Sequence, residues 1–464
     1  MNLRSLSGSL SLVWAITSCG PVRLGELDVR PGDASQSDSS FDRTAPADSA
    51  SDVLREAAVE CPATGAELRG VVTAPNGLDP IPGAVVYLAR TRPAVQPAGV
   101  SCDTCELPPN VLGYAVSNTQ GMFVMPRGVS ESGAFFLVVQ KGRFRRVTEV
   151  NVQSCMGQAF TAQTTRLPGT RAEGEIPNIL VASGTTAAQA DRPRTDDWAY
   201  DDIARVIRRL GITEFDRSEP CRLATTGTSV ANSSCPFGGI LANRTSLDRY
   251  NIVVAPCGAL GFNRSWQVLG APANAAIATN MRGWLQAGGR LYTSDTAYGL
   301  LAHAHPSAAT FAGGSTVRSD GKDPANVGAG GSPSMPRTYS GRIADMGLRD
   351  WLADRGALAM DGSIQLGGFI SPWVAIDSVP STTRTLVTAD VEWFTAASGM
   401  MTSAGSRPLT ITSDVREGGG CGRVVYSSYE VDNRDSMSSS PLTPQERVLE
   451  YLLFELGGCL VTPG

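Results

Sequence analysis

The sequence has very few histidines and lysines, and it lacks the short motifs of serine hydrolases and of nucleotide-binding enzymes. His303 and His305 are the only histidines, and Lys141 and Lys322 are the only lysines among 39 basic side chains. No G-x-S-x-G elbow occurs, and no G-x-G-x-x-G or P-loop follows a strand-like segment. The remaining basic residues are scattered arginines and the net charge is −5, so we expect no nucleic-acid partner. Because the nucleotide-binding motifs are missing, we also expect no cofactor.

Long hydrophobic runs are also missing, except for a short one at the start. Residues 10–16 are mostly apolar, but a membrane-spanning helix needs roughly 20 such residues. The run ends in Ile16-Thr17-Ser18-Cys19, which resembles a lipobox: an aliphatic residue, two small residues and the cysteine that is acylated after cleavage. The resemblance implies a signal peptide over residues 1–18 and lipidation at Cys19; an ordinary secretory signal is the alternative. Two acyl chains on glycerol plus an N-acyl group anchor a protein stably.

The segment after the lipobox is poor in apolar residues. Residues 19–60 are rich in Ser, Asp and Ala, a composition that cannot bury enough surface to offset the entropy of ordering. We therefore expect a flexible tether, with an acidic interaction tail as the alternative. Gly20, in place of an aspartate, resembles an outer-membrane sorting signal. The predicted location is outside the cytoplasm, lipid-anchored to the outer membrane or cell surface.

Residues 61–170 read as a first folded domain made of short strands. Strand-like segments alternate with turn signals such as Pro75-Asn76-Gly77, and this pattern predicts a β-sandwich. Three segments resemble the carboxypeptidase regulatory-like domain, a transthyretin-like sandwich without catalytic machinery. They are Gly70-Val71-Val72, Pro82-Gly83-Ala84-Val85-Val86 and Thr119-Gln120-Gly121-Met122-Phe123. The resemblance implies structural support or weak binding.

Residues 175–464 alternate between strand and helix patterns. Strands are predicted at residues 179–182, 250–255, 290–294, 409–412 and 423–427, the first of them continuously apolar. Helices are predicted between them, and the clearest begins at the capping box Thr443-Pro444-Gln445-Glu446. This alternation predicts a three-layer α/β domain with a mainly parallel sheet, carrying a loop-rich insertion at about residues 304–340.

This second domain resembles the class I glutamine-amidotransferase-like fold. The resemblance is carried by residues 250–258, by Trp284 to Tyr292 and by Gly422 to Ser428. Members with amidotransferase activity use a cysteine at a strand-to-helix elbow, followed by a late His and Glu. Here the strand leads into Ser294-Asp295-Thr296, and no histidine follows His305, so that triad cannot be assembled. The two domains together are similar to a group of exported lipoproteins, which implies a fold and no particular activity.

Candidate chemistry is sparse, and no catalytic residue is assigned firmly. Cys257 follows a strand, where α/β proteins place ligands, and it could form a dyad with His303 or His305. The two histidines could instead hold a metal with Asp295, although histidines on a loop are more often surface residues, and we expect no metal site. Trp351, Trp373 and Trp393 are interpreted as core residues, with a glycan-binding cleft as the alternative.

Ten cysteines favour an oxidising compartment. With Cys19 set aside for lipidation, nine remain, and we expect four disulfides with Cys257 left free. The Cys102-x-x-Cys105 motif is interpreted as a local disulfide, because a redox motif or half of a zinc site would need a partner element that is missing. The expected pairs are Cys61–Cys155, Cys102–Cys105, Cys221–Cys235 and Cys421–Cys459.

Taken together, these features favour a non-enzymatic cell-envelope lipoprotein that serves as a binding or scaffolding module. Its expected partners are the membrane, through the lipid, and an envelope protein or glycan. The alternative is an exported hydrolase or transferase that uses a crevice near Cys257, Asp295 and His303 or His305.

Overall fold

The sequence predictions can be compared with a computed structural model of the chain. It describes residues 61, 66–103, 107–109, 111–126, 129–183, 201–219, 235–260, 271–313, 326–331, 335–369, 372–394, 400–431 and 442–458. These residues are rich in β-structure arranged in several sheets, and they all belong to one compact unit. The predicted signal peptide and tether, including Cys19, lie outside the described residues.

The N-terminal strands form two small sheets. They are β1 (Leu68–Val71), β2 (Val85–Ala89), β3 (Val111–Val116), β4 (Met122–Met125), β5 (Gly133–Lys141), β6 (Phe144–Val152) and β7 (Gln158–Ala159). One sheet has the order β4-β1-β7 and the other β3-β2-β5-β6. A short helix, α1 (Ala162–Thr165), follows β7.

Alternation along these strands explains how the two sheets share a core. In β4 the side chains of Phe123 and Met125 are buried, whereas those of Met122 and Val124 are exposed. Leu68 of β1 and Leu88 of β2 belong to the same buried cluster as Phe123. The arrangement is consistent with a β-sandwich in this part of the chain. Each of the three quoted segments is a strand in part, through Gly70–Val71 of β1, Val85–Val86 of β2 and Met122–Phe123 of β4.

The remaining strands build mainly one large sheet. They are β8 (Ile179–Ala182), β9 (Asp216–Ser218), β10 (Ile252–Ala255), β11 (Arg290–Ser294), β12 (Thr310–Phe311), β13 (Asn326–Gly328), β14 (Arg337–Ile343), β15 (Ser363–Phe369), β16 (Trp373–Val374), β17 (Ile376–Ser378), β18 (Thr383–Phe394), β19 (Met401–Val415) and β20 (Gly422–Ser427). The strand order is β15-β14-β18-β19-β20-β11-β10-β8-β9, and β13 joins it through β18 and pairs with β16. Strands β12 and β17 form a separate pair.

The large sheet is parallel only at one end. Strands β9, β8, β10, β11 and β20 pair in parallel, whereas β19, β18, β14 and β15 continue from β20 in antiparallel pairs. The prediction of a mainly parallel sheet is therefore not confirmed. The long β18–β19 hairpin is the physical reason, because a hairpin connection makes neighbouring strands antiparallel. The predicted loop-rich stretch at 304–340 contains β12, β13 and the start of β14.

Helices cover both faces of the large sheet. They are α2 (Ile203–Arg209), α3 (Pro236–Ala242), α4 (Arg244–Leu247), α5 (Ala271–Gln286), α6 (Tyr298–Ala304), α7 (Met346–Asp354) and α8 (Pro444–Leu456). Alternate strand residues explain the two faces: Val254 belongs to the apolar cluster that contains α2 and α8, and Val253 belongs to the one that contains α5 and α6. Among the described residues, none of the helices is both long and apolar enough to span a bilayer.

Helix α8 begins as its sequence predicts. The Thr443 hydroxyl accepts a hydrogen bond from the Glu446 backbone N–H at 3.2 Å, and the Glu446 carboxylate accepts one from the Thr443 N–H at 2.7 Å. The fully buried Glu446 carboxylate also receives Arg205 of α2 at 2.6 Å. The capping box therefore starts α8 and ties it to α2.

The N-terminal strands and the large sheet are joined by a continuous core and by buried ion pairs. The apolar cluster that contains Phe144 of β6 also contains Phe454 of α8, and their ring centroids are 5.4 Å apart. Lys141, only 6% exposed, pairs with Glu455 of α8 at 2.5 Å. Asp103 pairs with Arg143 at 3.0 Å and with Arg290 at 3.1 Å. Charges removed from water in this way must keep their partners, so these pairs fix how the two parts meet.

Two disulfides lie within the described residues, and only one was predicted. The Cys61–Cys155 bond is confirmed. Cys102 bonds to Cys421, so the expected pairs Cys102–Cys105 and Cys421–Cys459 are wrong. The reason is that the loop before Cys102 packs against the connection between α4 and β10. There the Val100 N–H donates to the Asp248 carbonyl at 2.8 Å.

The other expected disulfide involves residues that are mostly not described. Cys235 is disulfide-bonded, and its partner lies outside the described residues. Cys105, Cys221 and Cys459 also lie outside them. The Cys221–Cys235 pair therefore stays a prediction, and Cys257 is the free cysteine of the described part of the chain.

One buried carboxyl at the junction makes stability depend on pH. Arg447 of α8 contacts Asp79 at 2.6 Å and Glu450 at 2.7 Å. Burial, together with the nearby Asp79 carboxylate, raises the pKa of Glu450 from 4.5 to about 8. Between these values the folded protein keeps a proton that the unfolded chain releases.

We therefore expect the free energy of unfolding to fall as pH rises from about 5 to about 8, by up to about 1.4 kcal/mol per unit. Glu450→Gln should remove this slope, and the exposed Glu149→Gln should keep it. Guanidinium unfolding at several pH values measures both. Equal slopes for wild type and Glu450→Gln would contradict the assignment.

Candidate functional site

The candidate site lies at the carboxyl ends of β10, β11 and β20. Cys257 follows β10 by two residues, Asp295 and Thr296 follow β11 directly, and Glu430 follows β20 by three residues. Because these strands are parallel and adjacent, their carboxyl ends meet at one edge of the sheet. Side chains that are distant in sequence are therefore brought together in the interior.

The Cys257 thiol is completely buried and contacts the two residues that directly follow β11. Its Sγ donates to Oδ2 of Asp295 at 3.4 Å and lies 3.2 Å from Oγ1 of Thr296. Its backbone N–H donates to Oγ of Ser294 at 3.0 Å. The next residue, Gly258, has a φ of +78° and donates its N–H to Thr296 at 3.2 Å. This positive φ favours glycine and turns the chain so that Cys257 faces Asp295.

Two aspartates hold the site with unusual backbone conformations. Asp201 and Asp295 have φ values of +52° and +40°, a region that side-chain-bearing residues rarely adopt. Asp201 accepts from Ser294 Oγ at 2.8 Å and from the Val431 N–H at 2.8 Å. Oδ1 of Asp295 accepts from the Val374 N–H at 2.7 Å. Such strain persists where surrounding contacts enforce it, and here the contacts fix both carboxylates.

Glu430 completes a group of potential metal ligands. Cys257 Sγ and one carboxylate oxygen each from Asp295 and Glu430 all lie within 4.8 Å of one another. Cys257 and Asp295 are buried, and Glu430 is half-buried. The sequence prediction assigned no metal site and did not include Glu430.

The electrostatic environment keeps the thiol protonated. Burial raises the pKa of Cys257 well above its ordinary value, and the carboxylates of Glu430 and Asp295 raise it further. The thiolate is the nucleophilic form of cysteine. A thiol in this environment, without a metal ion or a base, is a poor nucleophile.

The structure does not bring the histidines to Cys257. Nε2 of the buried His305 lies 3.0 Å from Oγ of Ser413, and burial lowers the pKa of His305. His303 lies near the end of α6, its carbonyl accepts from Arg282 at 3.0 Å, and burial lowers its pKa as well. The hydrogen-bond contacts of Cys257 Sγ are with Asp295 and Thr296. Of the four candidates from the sequence, Cys257 and Asp295 therefore meet, and the two histidines lie elsewhere.

The three tryptophans pack in the interior to different degrees. Trp351 and Trp373 are buried, and their indole N–H groups donate to the carbonyls of Pro80 at 3.0 Å and Ala329 at 3.2 Å. Trp393 is partly buried, and the Arg407 guanidinium lies 5.0 Å from its ring centroid. The core interpretation is confirmed for Trp351 and Trp373.

A cavity of about 340 Å³ lies at the opposite edge of the parallel strands. Its lining includes Arg171, Glu214, Asp216, Arg249 and Tyr250. Tyr250 donates its hydroxyl to Asp216 at 2.8 Å, and Arg171 pairs with Glu214 at 2.8 Å. Much of the polar lining is therefore already paired within the protein.

The sequence prediction missed two residues of the site, Glu430 and Asp201, for different reasons. Glu430 follows a predicted strand, as Cys257 and Asp295 do. The rule that parallel strands place ligands at their carboxyl ends could therefore have included it. Asp201 precedes α2, and its role depends on long-range contacts with Ser294 and Val431 that no local pattern reveals.

No protein-family model and no curated protein matches this chain.

Proposed function

We propose that this protein is a non-enzymatic envelope lipoprotein whose folded part serves as a binding or scaffolding module. In this proposal residues 1–18 are a signal peptide, Cys19 carries the lipid and residues 19–60 are the tether. Residues 61–170 are a carboxypeptidase regulatory-like sandwich, and residues 175–464 form a class I glutamine-amidotransferase-like α/β domain. The partner class is an envelope protein or a glycan.

The observation that carries the proposal is the Cys102–Cys421 disulfide, which links the N-terminal strands to the large sheet. Structural disulfides persist in oxidising compartments and are rare in the cytosol, so the bond supports a location outside the cytoplasm. Next to it, Asp103 is shared by Arg143 and Arg290. A covalent bond beside buried ion pairs suits a rigid display module better than a protein whose two parts must move.

The environment of Cys257 supports a non-enzymatic role. A hydrolase or transferase that used this cysteine would need the thiolate, a nearby base and access for the substrate. The thiol is fully buried, its contacts are with Asp295 and Thr296, and the surrounding carboxylates disfavour the thiolate.

Lipidation is tested by the Cys19→Ala variant. We expect wild type to incorporate labelled palmitate and to fractionate with the membrane, and the variant to lose both properties. Ser40→Ala is the matched control, because it changes a residue of the predicted tether without touching the lipobox. Wild type recovered in the cytoplasm with free thiols would overturn the proposal.

Native-state alkylation separates the proposed role from a cysteine enzyme. We expect iodoacetamide to leave Cys257 unmodified in the folded protein and to modify it in guanidinium, because burial blocks access and the raised pKa limits the thiolate. Mass spectrometry of peptides measures the modification. Rapid modification of Cys257 in the folded state would instead favour an exported hydrolase or transferase.

A further inference from the structure

The spacing of the ligand atoms around Cys257 is that of groups bound to one metal ion. Zinc–oxygen and zinc–sulfur distances of about 2.0 to 2.3 Å place tetrahedral ligand atoms about 3.3 to 3.7 Å apart. The Cys257 Sγ to Asp295 Oδ2 distance is 3.4 Å. The ligand atom of Glu430 lies within 4.8 Å of the ligand atoms of Cys257 and Asp295.

We propose that Cys257, Asp295 and Glu430 bind one Zn²⁺ ion, which joins the ends of β10, β11 and β20 and keeps a water molecule in its fourth position. The mixed donor set favours zinc, because Mg²⁺ and Ca²⁺ prefer oxygen ligands alone, whereas zinc accepts thiolate and carboxylate together. Binding forms a zinc–sulfur bond and releases the thiol proton to solvent. The inference does not depend on the proposed function.

Groups around the ligands already hold them in position. Val374 N–H binds Oδ1 of Asp295 at 2.7 Å, and Oδ2 of the same carboxylate faces the thiol. Asp201 accepts from the N–H of Val431, the neighbour of Glu430, at 2.8 Å. Outer contacts of this kind orient metal ligands and contribute to metal affinity.

A second observation points to a ligand at the same place. The side chain of Ser428 is fully buried, and its hydroxyl has no hydrogen-bond partner among the described residues. Ser427 pairs with Ser294, so Ser428 and Asp295 are the residues that directly follow the last paired position of β20 and β11. Tyr426 of β20 donates its hydroxyl to the Asp295 backbone carbonyl at 3.3 Å. A bound ion would satisfy a buried hydroxyl that otherwise has no partner.

Titration of the full chain, stripped with EDTA, tests the proposal. We expect calorimetry to show one equivalent of Zn²⁺ bound, and Co²⁺ to give a thiolate-to-cobalt charge-transfer absorption. Cys257→Ser should abolish that absorption and weaken Zn²⁺ binding about a hundredfold or more, since even outer contacts affect affinity about tenfold to a hundredfold. Glu430→Gln should weaken binding about tenfold or more.

Asp390→Asn is the matched control, because Asp390 pairs with Arg342 on the surface and should leave both readouts unchanged. Glu430 is only half-buried, so Glu430→Gln keeps the test decisive if Cys257→Ser does not fold, as judged by near-ultraviolet circular dichroism. A wild-type chain that binds no Zn²⁺ would overturn the proposal. So would unchanged stoichiometric binding in folded Cys257→Ser or folded Glu430→Gln.

Discussion

Replacing Gly142 with alanine is expected to destabilise the folded unit by more than about 3 kcal/mol, because two penalties combine at this position. Gly142 and Arg143 form the two-residue loop between β5 and β6, and Gly142 has a φ of +56°. An added Cβ would lie 1.5 Å from the Gly457 carbonyl oxygen, so the turn and the end of α8 must separate. That separation would disturb the neighbouring Lys141–Glu455 pair.

Gly77→Ala is the matched control for this variant. Gly77 has a φ of +75°, and an added Cβ would meet no atom within 4 Å. Its expected cost is the backbone strain alone, about 1 to 2 kcal/mol. Guanidinium unfolding of both variants measures the difference. Equal midpoints for the two variants would mean that the turn does not press against α8.

Loss of the Cys102–Cys421 disulfide is expected to cost about 6 kcal/mol. The bond closes a loop with a sequence separation of 319, and the chain-entropy treatment gives roughly this value for such a length. The double variant Cys102→Ser/Cys421→Ser avoids leaving an unpaired thiol. Its cost includes weaker positioning of Asp103 between Arg143 and Arg290.

Cys61→Ser/Cys155→Ser provides the comparison. This bond spans a separation of 94, and since the entropy grows only logarithmically with length, loop entropy makes the two bonds differ by only about 1 kcal/mol. A larger difference measures the added contribution of the ion pairs beside Cys102. Unfolding midpoints of the two double variants under non-reducing conditions decide this. A Cys102→Ser/Cys421→Ser variant as stable as wild type would contradict the described junction.

Local signals predicted individual elements well. Helix α8 could be predicted because Thr443, Pro444 and Glu446 act on backbone groups within one turn. Strand β10 could be predicted because its continuous burial leaves a continuous apolar run in the sequence.

Pairing was harder to predict than element type. Strand β19 spans Met401–Val415, yet only residues 409–412 were recognised, because its first half is partly exposed and contains Gly405 and Pro408. Strand β19 pairs antiparallel with β18 and β20, its neighbours along the chain. The mainly parallel prediction failed because β14, β15 and β18, which build the antiparallel part of the sheet, were not predicted as strands.

In the site, too, residues at strand ends could be predicted, whereas residues positioned by helix packing could not. Cys257 and Asp295 each follow a predicted strand, so their meeting followed from the edge rule for parallel strands. His303 lies on the short helix α6, and His305 caps its end facing Ser413, so neither could be positioned without knowing how that helix packs.

The cysteine pairing in the N-terminal part has a consequence for maturation. Both described disulfides skip cysteines along the chain: Cys61 passes Cys102 and Cys105 to reach Cys155, and Cys102 bonds only with Cys421. If oxidation follows the order of synthesis, Cys61 meets Cys102 and Cys105 first, long before Cys421 exists. Reaching the native bonds then requires thiol–disulfide exchange, a process of seconds to hours unless catalysed. Yield in an oxidising compartment should therefore depend on a disulfide isomerase.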